Sequence, residues 1–254
     1  MTEAVAGAWR GGSAIFLAAL RSILARPRLA VLLYLLFVVV DFGITEAQAQ
    51  LDSALLGFLI ALAFAVLVAA IACIWHRAVL TPGAAVPGTR AVLHYALAYL
   101  VLGIVGFLAL APFAMAYWYI GVAFGFSRGM FDAVVGTGGL LPAGVVSYAI
   151  GAWLFLMLIW RIGLGLPHIA LGCGDVSFAE SWRRTQPIAG SVVTLALIGA
   201  VAQLPFAFVG FALPYDTDAL PYWVVSLASS LGYGVVVVVG AAILTELYRR
   251  TASR

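Results

Sequence analysis

The sequence is poor in charge and contains neither lysine nor asparagine. Charged residues make up only 9% of its 254 residues, whereas apolar residues make up 65%. A soluble domain is usually about a quarter charged, because its surface must face water. The composition therefore excludes an ordinary soluble domain and favours lipid as the solvent. The absence of asparagine also excludes N-glycosylation, and the use of arginine alone is typical of a GC-rich bacterial genome.

Cysteine is scarce as well. Cys73 and Cys173 are the only two, too few for a disulfide framework and not at the spacing of a zinc site. The net charge of +3 would suit nucleic-acid binding in a soluble protein, but the arginines here follow a membrane topology. We therefore expect reduced thiols, no metal, no cofactor and no nucleic-acid partner.

Long apolar runs point to membrane-spanning helices, which need roughly 20 mainly apolar residues at about 1.5 Å rise per residue. The sequence predicts an all-α polytopic membrane helix bundle, in which residues 1–254 form a single membrane domain. About six transmembrane helices are expected, at residues 29–43, 54–75, 92–116, 143–163, 189–213 and 222–247.

The arginines indicate the orientation. Twelve of the 13 lie before the first span, between spans two and three, between spans four and five, or after span six. Only Arg128 falls in the opposite loops, which hold six acidic residues. The positive-inside rule then predicts a bacterial inner (cytoplasmic) membrane protein with both termini on the cytoplasmic side.

A signal peptide is an alternative for the N-terminal region. Ala47-Gln48-Ala49 follows an apolar run and resembles a cleavage site. Cleavage there would leave five spans in the same orientation. The segment before the apolar run, however, is 28 residues long and itself contains an apolar helical stripe, which signal peptides lack.

The even-numbered spans end in similar residues, which allows two interpretations. Three two-helix units would form a parallel repeat, or aromatic–arginine pairs would anchor separate helices at the interface. The other boundaries do not keep the spacing, which favours separate anchors. The three segments are Ile74-Trp75-His76-Arg77, Ile159-Trp160-Arg161 and Leu247-Tyr248-Arg249.

Two amphipathic surface helices are predicted on the cytoplasmic side. The first covers residues 13–26 and ends at Pro27. Its apolar stripe is opposite Arg21, Ser22 and Arg26, as in helices that lie flat in the interface. The second covers residues 177–186, where Ser177 and Glu180 form a capping box. The stripe of the first helix comprises Ile15, Phe16, Ala19, Leu20, Ile23 and Leu24.

Two segments resemble a pattern in uncharacterised bacterial six-span membrane proteins. That group includes the YciC-like inner-membrane proteins and the membrane domain attached to some glycerophosphodiester phosphodiesterases. The phosphodiesterase catalytic domain has no counterpart in these 254 residues, so the resemblance implies a fold and not a reaction. The segments are Trp160-Arg161 through Leu166-Pro167-His168-Ile169-Ala170-Leu171-Gly172, and Ser181-Trp182-Arg183-Arg184-Thr185.

Arginines and tryptophans recur on the cytoplasmic side and suggest lipid-headgroup contacts. Arginine forks match phosphate geometry, and tryptophan anchors helices at the headgroup level. Ordinary positive-inside bias explains most of their number, but not their placement along two amphipathic helices. The candidates are Arg21, Arg26, Arg28, Arg77, Arg161, Arg183, Arg184, Trp75, Trp160 and Trp182.

Few polar side chains fall within the spans. Gln203, just before Pro205, and Ser229 and Ser230 in the last span are the intramembrane polar candidates. An interhelical hydrogen bond explains them as well as a small polar pocket does. Ser226, Ser230 and Gly234 form a ridge of small residues, which lets another helix approach closely.

Histidine and acidic residues show no catalytic or metal-binding arrangement. His76, His94 and His168 are at span ends without ligand spacing, and no catalytic motif is evident. The favoured hypothesis is a non-enzymatic, lipid-interacting or accessory scaffold protein. Its partners would be membrane lipids, with anionic lipids favoured, and a membrane-protein partner or homo-oligomer is allowed. The alternatives are a small-solute permease or channel and, third, an intramembrane enzyme acting on lipid.

Overall fold

Every regular element in the described part of the chain is helical. The computed structural model describes residues 3–49, 53–83, 87–123, 141–173, 176–212 and 221–252. Within these ranges the predicted all-α bundle of membrane type is confirmed, and no strand occurs. Helices suit a hydrocarbon solvent because they satisfy their backbone hydrogen bonds within one segment.

The elements alternate between long helices and one region of short helices. The first five helices are α1 (Glu3–Leu24), α2 (Pro27–Ala49), α3 (Ala54–Leu80), α4 (Thr89–Ala123) and α5 (Leu141–Ile162). Two short helices follow, α6 (Gly165–Ala170) and α7 (Phe178–Thr185). A 3-10 turn at Gln186–Ile188 leads into α8 (Ala189–Ala212), and α9 (Tyr222–Ala252) comes last.

Five segments of the described chain are long and apolar enough to cross a membrane. A shorter apolar segment, Ala149–Ile162, lies in α5. The helices extend beyond several of the predicted spans, because a helix continues through the polar turn that follows its apolar stretch. Pro112 and Pro205 lie inside α4 and α8 and end neither helix. The five segments are Pro27–Gln48, Leu55–Leu80, Thr89–Pro112, Phe178–Pro205 and Tyr222–Ala252.

Helix α9 is at the centre of the packing. It contacts α1, α2, α3 and α8, while α5 packs against α8 and α4, and α4 packs against α3. Buried residues occur along α9 from Val225 to Leu247. By contrast, α2, α3 and α4 carry large exposed apolar side chains, among them Leu32, Phe58 and Phe107. Such an outward apolar surface suits contact with lipid.

Helix α1 packs along α8 and α9, and small residues allow the close approach to α8. A Cβ atom added to Gly12 would lie 2.8 Å from the carbonyl oxygen of Ser191 and 2.9 Å from the nitrogen of Leu195. Nearer the chain start, Ala8 lies against Gly190. These contacts hold the first half of α1 against the beginning of α8.

The buried face of α1 differs from the predicted stripe. Ser22, expected opposite the stripe, is buried, and Leu24, expected within it, is 75% exposed. Ile15, Ala19 and Ser22 are spaced by four and three residues and share the buried face. Burial of Ser22 costs little, because its hydroxyl donates to the carbonyl oxygen of Ala19 at 2.8 Å. The prediction was therefore wrong at Ser22, whereas the exposure of the apolar Leu24 agrees with a stripe that faces the membrane interface.

The approach of α1 to α8 leads to a prediction about stability. Gly12→Ala should destabilise the protein by about 1–3 kcal/mol, because the added methyl group meets backbone atoms that cannot rotate away. Gly7→Ala is the matched control, since its Cβ would meet nothing within 4 Å. Thermal unfolding in detergent measures both variants. Equal unfolding temperatures for Gly12→Ala and Gly7→Ala would contradict the close packing.

Candidate functional site

The ends of three long helices meet two short helices at one end of the bundle. Arg249 Nη2, near the end of α9, donates to the carbonyl oxygen of Val79 in α3 at 2.9 Å. Arg77 Nη1, also in α3, donates to the carbonyl oxygen of Ala170 in α6 at 3.4 Å. We call this region, formed by the C-terminal ends of α3, α5 and α9 with α6 and α7, the arginine end.

A fully buried hydrogen-bond chain joins three helices beside the arginine end. Nδ1 of His76 in α3 lies 2.8 Å from Oγ1 of Thr245 in α9, and Nε2 lies 2.9 Å from the hydroxyl of Tyr95 in α4. All three side chains are at most 1% exposed. The chain therefore fixes the relative position of α3, α4 and α9.

The number of available protons sets the direction of this chain. The Thr245 hydroxyl donates its single proton to the carbonyl oxygen of Ala241 at 2.8 Å, so it accepts from Nδ1–H of His76. Nε2 of His76 then carries no proton and accepts from the Tyr95 hydroxyl. In this arrangement His76 is neutral and both of its ring nitrogens have partners, as burial requires.

Arg161 fastens α7 to the end of α5. Its guanidinium lies 3.5 Å from the centre of the Trp182 ring and donates to Gln186 Oε1 at 2.6 Å and to Thr185 Oγ1 at 3.4 Å. The backbone carbonyl oxygen of Arg161 accepts from the Ser181 hydroxyl at 2.9 Å. This arginine is only 9% exposed, so its donors serve the protein rather than a lipid headgroup.

The short helix α7 corresponds to the predicted helix at 177–186. The Ser177 hydroxyl accepts from the amide of Glu180 at 3.2 Å and caps the helix. The Glu180 carboxylate does not complete the expected capping box but pairs with Arg183 and Arg184. The side chain of Arg183 nevertheless remains 79% exposed and that of Arg184 36% exposed, so both still face outward.

The tryptophan candidates occupy three different environments. Trp75 is 1% exposed and Trp160 is 4% exposed, so neither can anchor at a headgroup as the sequence suggested. Trp182 is partly exposed and lies beneath Arg161. An aromatic residue before an arginine at a helix end can face lipid or the bundle, and here both Trp75 and Trp160 face the bundle.

Three arginine candidates surround the turn between α1 and α2. Arg21 and Arg28 are exposed, and Arg26 is half-buried. Their side chains form no hydrogen bond or ion pair with another described residue. They differ in this from Arg77, whose donor reaches a backbone carbonyl, and from Arg161. Their positive charges therefore remain available to a partner outside the described chain.

The histidines do not assemble into a metal centre in the described ranges. His76 is held by its hydrogen-bond chain, and Nδ1 of His168 lies 2.9 Å from the Tyr248 hydroxyl. His94 is in α4. No group of three histidine, cysteine or acidic side chains suited to a metal occurs among the described residues. Cys73 is buried and Cys173 exposed, both with free thiols.

An apolar cavity of about 190 Å³ lies between α1, α5, α8 and α9. Gln203 lines it, but its other described walls carry neither charged nor amide side chains. The small polar pocket considered around Gln203 is therefore not formed by these neighbours. Apolar walls of this kind favour apolar molecules over water. Its walls include Phe16, Leu20, Trp160, Val236, Val239 and Gly240.

The ridge of small residues on α9 faces α2 at Gly234. A Cβ atom on Gly234 would lie 2.8 Å from the Tyr34 ring. Ser226 and Ser230 are buried, and neither hydroxyl has a hydrogen-bond partner in the described ranges. The partner of the ridge at Gly234 is thus within the chain.

No family model, curated protein or solved structure matches the chain. The resemblance to YciC-like proteins and to the phosphodiesterase membrane domain therefore stays a prediction.

The buried chain leads to a second prediction. Thr245→Val should destabilise the protein by about 1–3 kcal/mol, because Nδ1–H of His76 then has no acceptor. Thr251→Val is the matched control in the same helix, because the Thr251 hydroxyl donates only to carbonyls of its own helix, at Leu247 and Tyr248. Thermal unfolding of the purified variants compares the two. A loss of equal size in both would show that the bond to His76 contributes nothing.

Proposed function

We propose that the chain is a non-enzymatic, lipid-interacting protein of the bacterial inner membrane. In this proposal the turn between α1 and α2 binds anionic headgroups through Arg21, Arg26 and Arg28. The observation that carries it is the contrast among the arginines. Arg77, Arg161 and Arg249 donate to carbonyls and side chains of the bundle, whereas the three at the turn have no described partner.

The packing of α1 supports a defined headgroup site rather than a flexible basic tail. The close contact at Gly12 holds α1 against α8. Only two residues separate the end of α1 from Pro27, which begins α2. The positive charges are therefore displayed from a fixed turn. Arginine suits this role because its planar fork binds phosphate oxygens in pairs.

The topology that accompanies the proposal has six spans and both termini in the cytoplasm. The sixth span would be α5, whose 22 residues are long enough for a hydrocarbon core of about 30 Å. The distribution of 12 arginines against one supports the orientation. It would place the α1–α2 turn at the leaflet that carries anionic lipids.

The permease hypothesis draws less support from the cavity. A solute path would need polar groups or water along its walls, and Gln203 is the one amide among the described lining residues. Under the lipid proposal, Gln203→Leu should leave solute flux unchanged, because no solute passes through the cavity. A permease would instead require that this variant impair solute flux into vesicles.

The headgroup proposal is tested by removing two of the exposed arginines. Arg21→Gln with Arg28→Gln should weaken binding of anionic phospholipid roughly 30-fold, because each arginine near an anionic surface contributes about 1 kcal/mol. Native mass spectrometry of protein extracted from vesicles of phosphatidylglycerol and phosphatidylcholine measures the retained lipid.

A second double variant controls for net charge in that experiment. Arg90→Gln with Arg250→Gln removes the same charge away from the α1–α2 turn and should retain phosphatidylglycerol as the parent does. If both double variants lose lipid equally, the arginines act only as a general positive-inside signal, and the proposed site is wrong.

The topology has its own test. A reporter fused after Arg254 should be active in the cytoplasm, and one inserted near Asp216 should be active outside. The reason is that an even number of spans returns the chain to the side on which it began. A reporter after Arg254 that is active outside would require an odd number of spans for a chain that starts inside.

A further inference from the structure

The apolar cavity brings α1 together with three long helices. Phe16 and Leu20 of α1 form one wall, and Trp160 of α5 and Val236 and Gly240 of α9 form others. Trp160 is 4% exposed, so it is shielded from the surrounding bilayer by the rest of the bundle. Whatever reaches its ring from the cavity side must therefore enter between these helices.

The glycines around the cavity do not all serve the same purpose. A Cβ atom on Gly199, which lines the cavity, would lie 2.8 Å from the Trp160 ring, and one on Gly234, outside the lining, would lie 2.8 Å from the Tyr34 ring. At both positions the space is taken by an aromatic neighbour. A Cβ atom on Gly240, however, would meet nothing within 4 Å. The missing side chain at Gly240 thus leaves room for an apolar group that belongs to no described residue.

The lining of the cavity and the charge near the end of α1 indicate which molecule fits. The lining is apolar apart from Gln203, which matches a hydrocarbon chain. Arg21 directly follows Leu20 in α1, and it is exposed without a described partner. One helix thus supplies both an apolar wall and a free positive charge. That combination complements a molecule with a hydrocarbon tail and a negative head.

We infer that the cavity between α1, α5, α8 and α9 binds one acyl chain of an anionic membrane phospholipid, whose headgroup lies against the α1–α2 turn. The headgroup half of this inference rests on the proposed function. The tail half rests independently on the apolar lining and on the open space at Gly240. The lipid would insert a tail between α1 and α9 and would be held by its phosphate at Arg21 and Arg28.

Tryptophan fluorescence can report the acyl chain directly. Bromine atoms on a lipid tail quench a tryptophan that they contact. The full chain is placed in vesicles that contain dibrominated phosphatidylglycerol, and the Trp160 signal is the difference between the parent and Trp160→Phe. We expect this signal to be quenched, although Trp160 is shielded from the bulk lipid. An unquenched Trp160 would overturn the inference.

Filling the cavity should exclude the tail. Gly240→Leu adds a side chain where the structure has space, so the quenching of Trp160 should be lost, and the smaller Gly240→Ala should lose part of it. Gly103→Leu is the matched control: Gly103 is a half-buried helical glycine outside the cavity, and its Cβ also meets nothing within 4 Å. Quenching should persist in Gly103→Leu. Equal quenching in Gly240→Leu and Gly103→Leu would overturn the inference.

The two halves of the inference fail separately. If Gly240→Leu abolishes quenching and dibrominated phosphatidylcholine quenches as well as phosphatidylglycerol does, the tail site stands and selection of an anionic headgroup is refuted. If Arg21→Gln with Arg28→Gln loses anionic lipid while Gly240→Leu leaves quenching intact, the headgroup proposal stands and the tail site is refuted. Thermal unfolding of Gly240→Leu confirms that the variant is folded.

Discussion

Apolar helices in a bilayer gain little from burying apolar surface against one another, because the lipid tails around them are equally apolar. Close approach at small residues and hydrogen bonds between helices must supply the specificity of packing. The structure uses both means. Gly12 lets α1 touch the backbone of α8, and Gly234 lets α9 accept the Tyr34 ring. His76 joins α3, α4 and α9, because its two ring nitrogens hydrogen-bond to Thr245 and Tyr95.

The arginines show how one residue type serves two purposes. At the arginine end, guanidinium groups meet carbonyl oxygens that helix ends leave without intrahelical partners, and so tie the ends of the bundle together. Arg161 goes further, since its flat face lies on Trp182 while its edge reaches Gln186. At the α1–α2 turn the same groups find no described acceptor. A guanidinium group that has no acceptor within the bundle is available to bind a phosphate group.

The long helices were predictable from the sequence because length and hydropathy alone decide whether a segment suits the bilayer. The start of α7 was predictable because Ser177 caps a helix that begins at the next residue, and such a signal is read from neighbouring residues. The contacts between helices were not predictable from the sequence. Tyr95, His76 and Thr245 lie on three helices with no spacing that relates them, so only the fold reveals that they meet.

The faces of helices were predicted less well than their positions. Ser22 lies on the buried face although it was expected opposite the apolar stripe. The glycines and Ala19 of α1 decide which side approaches α8, and hydropathy does not register this. Trp75 and Trp160 each precede a polar helix end in the way that interface anchors do. A sequence does not distinguish an anchor that faces lipid from one that turns into the bundle. The cavity was not predicted, since it arises in part from the absence of a side chain at Gly240.

The docking of α1 has a consequence for how the protein is made. Its partners α8 and α9 begin at Ala189 and Tyr222, so α1 leaves the ribosome well before either of them. At about 5–20 residues per second, synthesis from the end of α1 to the start of α9 takes on the order of ten to forty seconds. During that time the side of α1 that will face α8 and α9 can lie only against the membrane or against the helices already made. Helix α1 is therefore synthesised long before it can reach its final position.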